Sequence, residues 1–281
     1  MQYSERITSQ ASRQRPGRAV LAATLGRFLW ASLIIALFSS SPLAAQDFTD
    51  GPNPLARKLP KPLDAYLGRR IAQTMHFTGA EWLTRDTRER EERCSLVLTS
   101  LGVKQGMAIC DMGCGNGFYA IPLAKMVGAN GHVYGVDIQP EMLKFLNDRA
   151  DQEGISNISP ILGTPISPRL PKGKMDLVLC VDVYHEFSYP EQMLAAIRES
   201  LAPRGRLVLV EYRGEDFNVP IKPEHKMTKA QVLKELQPNG FRLVKQFDRL
   251  PWQHMMWFSR DDAPEESQDT PAEETERKKD N

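Results

Sequence analysis

Cysteine is scarce: Cys94, Cys110, Cys114 and Cys180 are the only four in 281 residues, too few for a disulfide scaffold in a chain of this size. None belongs to a paired CxxC motif, so a zinc site is not implied and no metal is expected. Cys110 and Cys180 fall on segments that read as neighbouring strands, where buried free thiols are the expected state. An excess of charge of either sign is also missing. With 36 basic against 35 acidic residues and a net charge of +1, nothing marks a nucleic-acid partner, which would demand a basic face. A small or lipid-like ligand suits the composition better. The sequence holds no apolar run of the ~20 residues that a spanning helix needs. At 41% hydrophobic and 25% charged, it is ordinary globular material with one sizeable core.

The first 27 residues carry Arg6, Arg13, Arg15, Arg18 and Arg27 against a single acid, Glu5. The short apolar run 28–38 follows, and then a small-residue stretch ending Leu43-Ala44-Ala45-Gln46. Basic, apolar, small: this is the layout of an export signal, with cleavage expected after Ala45 and a periplasmic or secreted domain beyond it. An uncleaved anchor would also leave the domain outside, since the arginines hold their side in the cytoplasm. A cytoplasmic protein with an overextended N-terminus is the remaining alternative. Membrane contact is expected only through this segment, and nothing indicates an oligomeric state.

Residues 46–62 are rich in proline and polar residues and read as a linker. Helical periodicity then predicts helices over 63–75 and 84–101. Most of the charges of the second, Arg85, Arg88, Glu89, Arg90, Glu91, Glu92 and Arg93, read as a solvated face with i to i+4 ion pairs. At the other end, residues 261–281 hold many acids and no aromatic residue, the composition of a disordered tail.

Between these ends, strand and helix patterns alternate. Strands are predicted at 107–111, 132–137, 158–162, 175–181 and 205–211, and helices at 118–127, 141–153 and 190–201. Such a rhythm demands a parallel sheet covered on both faces. A further helix over 228–236, opened by a Thr228 cap, precedes two late strands at 241–247 and 253–259, read as an antiparallel pair at one sheet edge.

The chemistry concentrates at Asp111-Met112-Gly113-Cys114-Gly115-Asn116-Gly117, a glycine-rich turn between the first of these strands and a helix. Strand, glycine turn and helix form a nucleotide-cofactor architecture. Asp111 would repel a pyrophosphate at short range, and a ligand with a cationic end suits the turn better. The third glycine of a dinucleotide fingerprint is also missing, its place being taken by Phe118, which counts against NAD. The second strand ends in Asp137, as it would if that carboxylate bound a ribose diol, so an adenosine is implied.

These pieces resemble the class I S-adenosylmethionine-dependent methyltransferases over residues 102–260: Asp111 to Gly117 as their first motif, 133–137 as their second, 175–182 as the fourth strand and 205–211 as the fifth. The resemblance implies a Rossmann-like, doubly wound, seven-stranded, mostly parallel α/β sheet with an antiparallel C-terminal edge strand. It implies S-adenosylmethionine as cofactor, with Asp111 and the Gly113, Cys114, Gly115, Asn116, Gly117 turn at the methionine end, Asp137 on the ribose and Ile138 on the adenine. Many relatives carry an acid after the third strand; here Gly163 and Thr164 stand at that adenine-facing position. The leading segment would form a lid over the cofactor, with Tyr66, Phe77 and Trp82 as apolar contacts.

The segment Asp182-Val183-Tyr184-His185-Glu186-Phe187 follows the fourth strand, at the sheet edge where open α/β folds bind ligands. His185 is the candidate general base, Asp182 a contact to the methionine part and Tyr184 a contact to substrate. A structural role for His185 stays equally open. The segment lacks the Asn/Asp-Pro-Pro-aromatic pattern of many nucleobase-amine methylating enzymes. The loop 212–227, with Phe217, Pro220, Pro223, His225 and Lys226, is either a closing element over the substrate or a proline-held connector. Methyl transfer to a small-molecule or lipid-like acceptor is therefore expected, the alternative being an inactive cofactor-binding module.

Overall fold

The computed structural model describes residues 60–264. The expected export signal, almost all of the linker and most of the tail lie outside the described residues. Among the described residues, no helix is long and apolar enough to cross a membrane.

A short hairpin opens the structure, β1 (Ala65–Tyr66) and β2 (Arg69–Arg70), followed by a 3-10 segment Phe77–Thr84, α1 (Arg88–Glu92) and α2 (Cys94–Ser100). The core then runs β3 (Ala108–Met112), α3 (Ala120–Val127), β4 (His132–Asp137), α4 (Pro140–Gln152), β5 (Ile158–Leu162), β6 (Met175–Val181), α5 (Pro190–Ser200) and β7 (Leu201–Arg213). It finishes with β8 (Lys226–Met227), α6 (Lys229–Leu236), β9 (Phe241–Phe247) and β10 (Gln253–Arg260).

The main sheet has the order β5-β4-β3-β6-β7-β10-β9, with the two-residue β8 added beside β7. From β5 to β7 the neighbours pair in parallel, and β10 runs antiparallel to both β7 and β9. The reversed strand thus lies inside the sheet, and β9 is the edge. Burial explains that order: every residue from Gln253 to Ser259 is buried, as an interior strand requires, whereas β9 exposes Val244, Lys245 and Gln246.

Successive residues on each strand feed opposite cores, as the period-2 geometry of a strand dictates. Ile109, Leu177, Leu179, Val208 and Val210 pack with α2, α3 and α4. Cys110, Val178, Cys180, Leu207 and Leu209 pack with α5 and α6 on the other face. All four cysteines are buried and free. Thr228 caps α6 by accepting from the Gln231 backbone N–H at 3.1 Å.

Two sequence expectations fail in the leading segment. No helix forms over 63–75. Leu67 and Gly68 both adopt positive φ (44° and 99°), which makes the two-residue hairpin turn. Arg69 then fixes the hairpin through a two-pronged ion pair to buried Glu235 at 2.7 and 3.0 Å, overriding helix propensity. The expected helix 84–101 is broken at Arg93 (φ 51°), where Glu89 accepts from the Ser95 backbone N–H and so caps the start of α2.

The charges of this segment divide: Glu89, Arg90 and Arg93 are exposed as expected of a solvated face, whereas Arg88 and Glu92 are buried. Arg85 and Arg88 both pair with fully buried Glu92, which also accepts from the Tyr212 hydroxyl at 2.8 Å. The segment is thereby tied to the end of β7. Removing one partner of a buried ion pair typically costs about 3–5 kcal/mol. Glu92→Gln is accordingly expected to lower the melting temperature by several degrees, read by thermal denaturation; an unchanged midpoint would show that the ties are energetically idle.

Candidate active site

At the carboxyl ends of the parallel strands lies a cavity of about 510 Å³. Its floor is the glycine turn. Gly113 and Gly115 sit at φ 66° and 51°, and a Cβ on Gly115 would lie 2.5 Å from Leu83 Cδ1. On Gly113 it would collide with the Val183 side chain. The turn therefore lies bare against both the lid and the segment after β6.

Asp137 closes one side. Its carboxylate accepts from the backbone N–H groups of Gly115 (3.0 Å) and Gln139 (2.9 Å), which welds the glycine turn to the end of β4. Burial raises its pKa against these two donors. The side chain lines the cavity with Ile138, Gly163 and Thr164 beside it.

Asp111 lies behind the turn, not on the cavity wall. It accepts from the Ala120 backbone N–H, and burial first, then Asp137, pushes its pKa up to about 7. Its Oδ2 is buried without a protein partner. Cys114 and Gly117 pack into the core, against Gly135 and Leu146 respectively. Asn116 donates to the Ala80 carbonyl at 3.2 Å, holding the lid to the turn instead of reaching the cavity.

The segment after β6 supplies the opposite wall. Asp182 takes a left-handed conformation (φ 53°), uncommon for a non-glycine residue and more readily adopted by Asp than by most. Its Oδ2 accepts from Gln253 Nε2 at 2.7 Å, its Oδ1 is buried without a partner, and burial, Glu92 and Glu211 together raise its pKa well above the usual carboxylate range.

His185 is almost wholly buried yet reaches the cavity. Its Nδ1 lies 2.6 Å from Glu211 Oε2, while Glu211 Oε1 accepts from the Tyr184 backbone N–H at 3.0 Å. Burial works to depress the imidazole pKa, and Glu211 more than offsets it, leaving it raised. The other ring nitrogen, Nε2, meets His225 Nδ1 at 3.1 Å.

Tyr184 does not face the cavity, contrary to expectation: its hydroxyl donates to buried Glu235 at 2.8 Å, so it braces α6. Of the lid contacts, Trp82 lines the cavity, Tyr66 sits instead beside Asn239 and Glu191, and Phe77 is held by its N–H on Gln139. The loop 212–227 is latched by Lys226, whose ammonium donates to the Asp216 and Val219 carbonyls, and Pro220, Ile221, Lys222 and His225 from it form cavity wall.

A doubly wound sheet with a glycine turn, an acid ending the second parallel strand and a cavity at the strand ends defines a nucleoside-cofactor enzyme of the Rossmann-like class. Residues 103–263, more than half of the chain, match the family model described as "Methyltransferase domain". The chain belongs to this methyltransferase family, and its cofactor is S-adenosylmethionine. It is similar to aklanonic acid methyltransferase DauC of Streptomyces sp. (strain C5), 31% identical over 150 residues that cover 51% of this chain and 67% of that protein. It is also similar to nocamycin O-methyltransferase of Saccharothrix syringae, 29% identical over 140 residues, covering 50% of this chain and 48% of that one. Among solved structures, a SAM dependent methyltransferase from Aquifex aeolicus shares the fold at a TM-score of 0.62 and 24% identity, over 66% of this chain and 98% of that one.

The donor set fits such a cofactor. A bare glycine turn admits close approach, Asp137 keeps lone pairs for hydroxyl donors, and the unpartnered Oδ1 of Asp182 on the cavity wall is an acceptor for the cofactor's polar end.

Asp111 also dictates a pH dependence. Its pKa is raised on folding, so ionisation costs stability progressively as pH climbs from the unfolded value near ~4 to about 7, and no further above that. The melting temperature of Asp111→Asn relative to the wild type is therefore expected to rise between pH 4 and 7 and then level off. A difference that stays flat with pH would remove the assigned shift.

Proposed function

We propose that this methyltransferase acts on a hydroxyl oxygen of a small-molecule or lipid-like acceptor lodged between the glycine turn and the loop 212–227. The observation that carries the reading is the Glu211-His185-His225 chain, a carboxylate-oriented imidazole pair at the wall of the cofactor cavity. Hydroxyl methylation needs a place for the acceptor proton, and this pair provides one. The names of two relatives, an O-methyltransferase and an aklanonic acid methyltransferase, support a small-molecule acceptor. So does the apolar wall formed by Met75, Leu83, Met142, Phe187 and Met193.

In this reading the glycine turn and Asp137 hold the cofactor, Asp137 at the ribose hydroxyls and Ile138 against the adenine. When bound, S-adenosylmethionine supplies an electrophilic methyl group on a sulfonium. The chain's own work is orientation and proton handling in a pocket shielded from water. Glu211 keeps the proton of His185 on Nδ1, which leaves Nε2 as the basic nitrogen. A proton taken from the acceptor onto the His185-His225 pair is then stabilised by the Glu211 carboxylate behind it. Asp182, its carboxyl pushed well above the usual carboxylate range by burial and by Glu92 and Glu211, presents a buried oxygen to the same cavity.

We also propose that the domain is exported, supported by the basic, apolar and small-residue order of residues 1–46. N-terminal sequencing of the protein from an expressing cell's periplasm or medium tests this, and an intact N-terminus in the cytoplasm contradicts it.

The two halves of the site separate by mutation. Asp137→Ala is expected to abolish measurable S-adenosylmethionine binding. His185→Ala is expected to leave that binding within about threefold while lowering turnover by ~10²–10⁴, the range for loss of a general base. Screening hydroxylated aromatic and polyketide-like acceptors by mass spectrometry supplies the turnover assay; undiminished turnover in His185→Ala would remove the histidine from the mechanism.

A further inference from the structure

We infer that His185, Glu186 and His225 form a binding site for one divalent transition-metal cation of the zinc type, open to the methyl-acceptor side of the cavity. One ligand atom from each of the three lies within 4.8 Å of the other two. The two imidazole nitrogens are nearest, at 3.1 Å. In a tetrahedral site with metal–nitrogen bonds of about 2.0–2.1 Å, neighbouring ligand atoms stand roughly 3.3 Å apart. The imidazole pair already has nearly that spacing, and the Glu186 carboxylate has to close by at most about 1.5 Å.

The tautomers suit coordination. His185 commits its Nδ1 proton to Glu211, so Nε2 carries a lone pair, engaged by His225 Nδ1 until a cation takes the place of that contact. A carboxylate behind a ligating imidazole is the arrangement that orients and strengthens histidine ligands in metalloproteins. His225 needs only to move its proton from Nδ1 to Nε2, with no net proton lost. The backbone is equally fixed: the His185 carbonyl accepts from Arg69 Nη1 (2.8 Å) and from the Ala72 N–H (3.1 Å), and the Glu186 carboxyl rests on Thr74 and Met75. Two imidazoles and one carboxylate suit zinc, cobalt or iron better than magnesium or calcium, which prefer all-oxygen sites.

Three protein ligands leave a coordination position free, as in metal sites that bind a reacting group. His185, Glu186 and His225 all line the same cavity as the glycine turn, so that position faces the acceptor space. A cation held there would lower the pKa of an acceptor hydroxyl at the free position, and with both imidazoles engaged as ligands the hydroxyl proton would pass out through the cavity mouth to solvent. Occupied and empty sites are therefore alternative ways of presenting the same oxygen nucleophile. The cation site itself stands whether or not the acceptor is a hydroxyl compound. Sequence spacing could not reveal it, because His225 lies 40 residues from His185 and meets it only through the turn Pro223–His225.

The test uses full-length protein without an affinity tag, stripped with chelator and titrated with Co²⁺ by visible absorption and with Zn²⁺ by calorimetry, in the absence of acceptor. One equivalent of Co²⁺ with the intense bands of four-coordinate geometry is expected. His225→Ala and Glu186→Gln are each expected to weaken binding at least ~100-fold, while retained S-adenosylmethionine binding shows that they are folded. His132→Gln, far from the cavity, is expected to bind the cation as the wild type does. No saturable binding by the wild type, wild-type affinity in both ligand variants, or equal loss in His132→Gln would each overturn the site. Because neither readout involves methyl transfer, failure here is distinct from failure to find an acceptor.

Discussion

The site depends on one buried carboxylate. Glu211 ends the run Leu207-Val208-Leu209-Val210 on β7 and is fully buried between the two cores, where an unpaired acid would be costly. Its two oxygens are spent on one short segment, Oε2 on the His185 ring and Oε1 on the Tyr184 N–H. The ring can then neither rotate nor exchange tautomers freely. Proton transfer and metal binding at the acceptor side both use the Nε2 that this arrangement leaves without a proton, beside His225 Nδ1.

The next residue, Tyr212, extends the same strand's influence to the lid. Its hydroxyl donates to Glu92, which Arg85 and Arg88 also engage, and Arg88 donates to the Leu83 carbonyl. Leu83 in turn presses on Gly115 of the cofactor turn. A single strand end thus positions both the imidazole and the cover of the cavity. Coupling of this kind keeps the polar groups of the lid paired while its apolar members Trp82 and Leu83 face the ligand space.

The parallel core was legible because its signals are local. Apolar strand runs ending in acids at Asp111, Asp137, Asp182 and Glu211 mark the carboxyl edge of the sheet, and the glycine turn marks where the cofactor lies. Only three of these acids stood out, since Glu211 carries no neighbouring motif. The leading segment misled for the opposite reason. Its periodicity and charge pattern describe a helix in isolation, but Arg69 finds a buried acid at Glu235, 166 residues away, and the burial of Glu92 beneath Tyr212 is set by β7, far along the chain. Tyr184 was misplaced likewise: adjacent to His185 in sequence, it turns to Glu235 on α6. His225 was visible only as one member of a long loop, and its partnership with His185 exists only in three dimensions.

Glu211 acts by holding His185, and Glu211→Gln is the variant that isolates this role. The variant keeps the shape and an acceptor oxygen but no longer enforces the imidazole tautomer, a change that costs ~10⁴ in turnover where a carboxylate orients a catalytic histidine. The expected result is S-adenosylmethionine affinity equal to the wild type by calorimetry, with methyl transfer reduced by a factor on the order of 10³ or more. Methyl transfer at the wild-type rate in a folded, cofactor-binding Glu211→Gln protein would contradict the account.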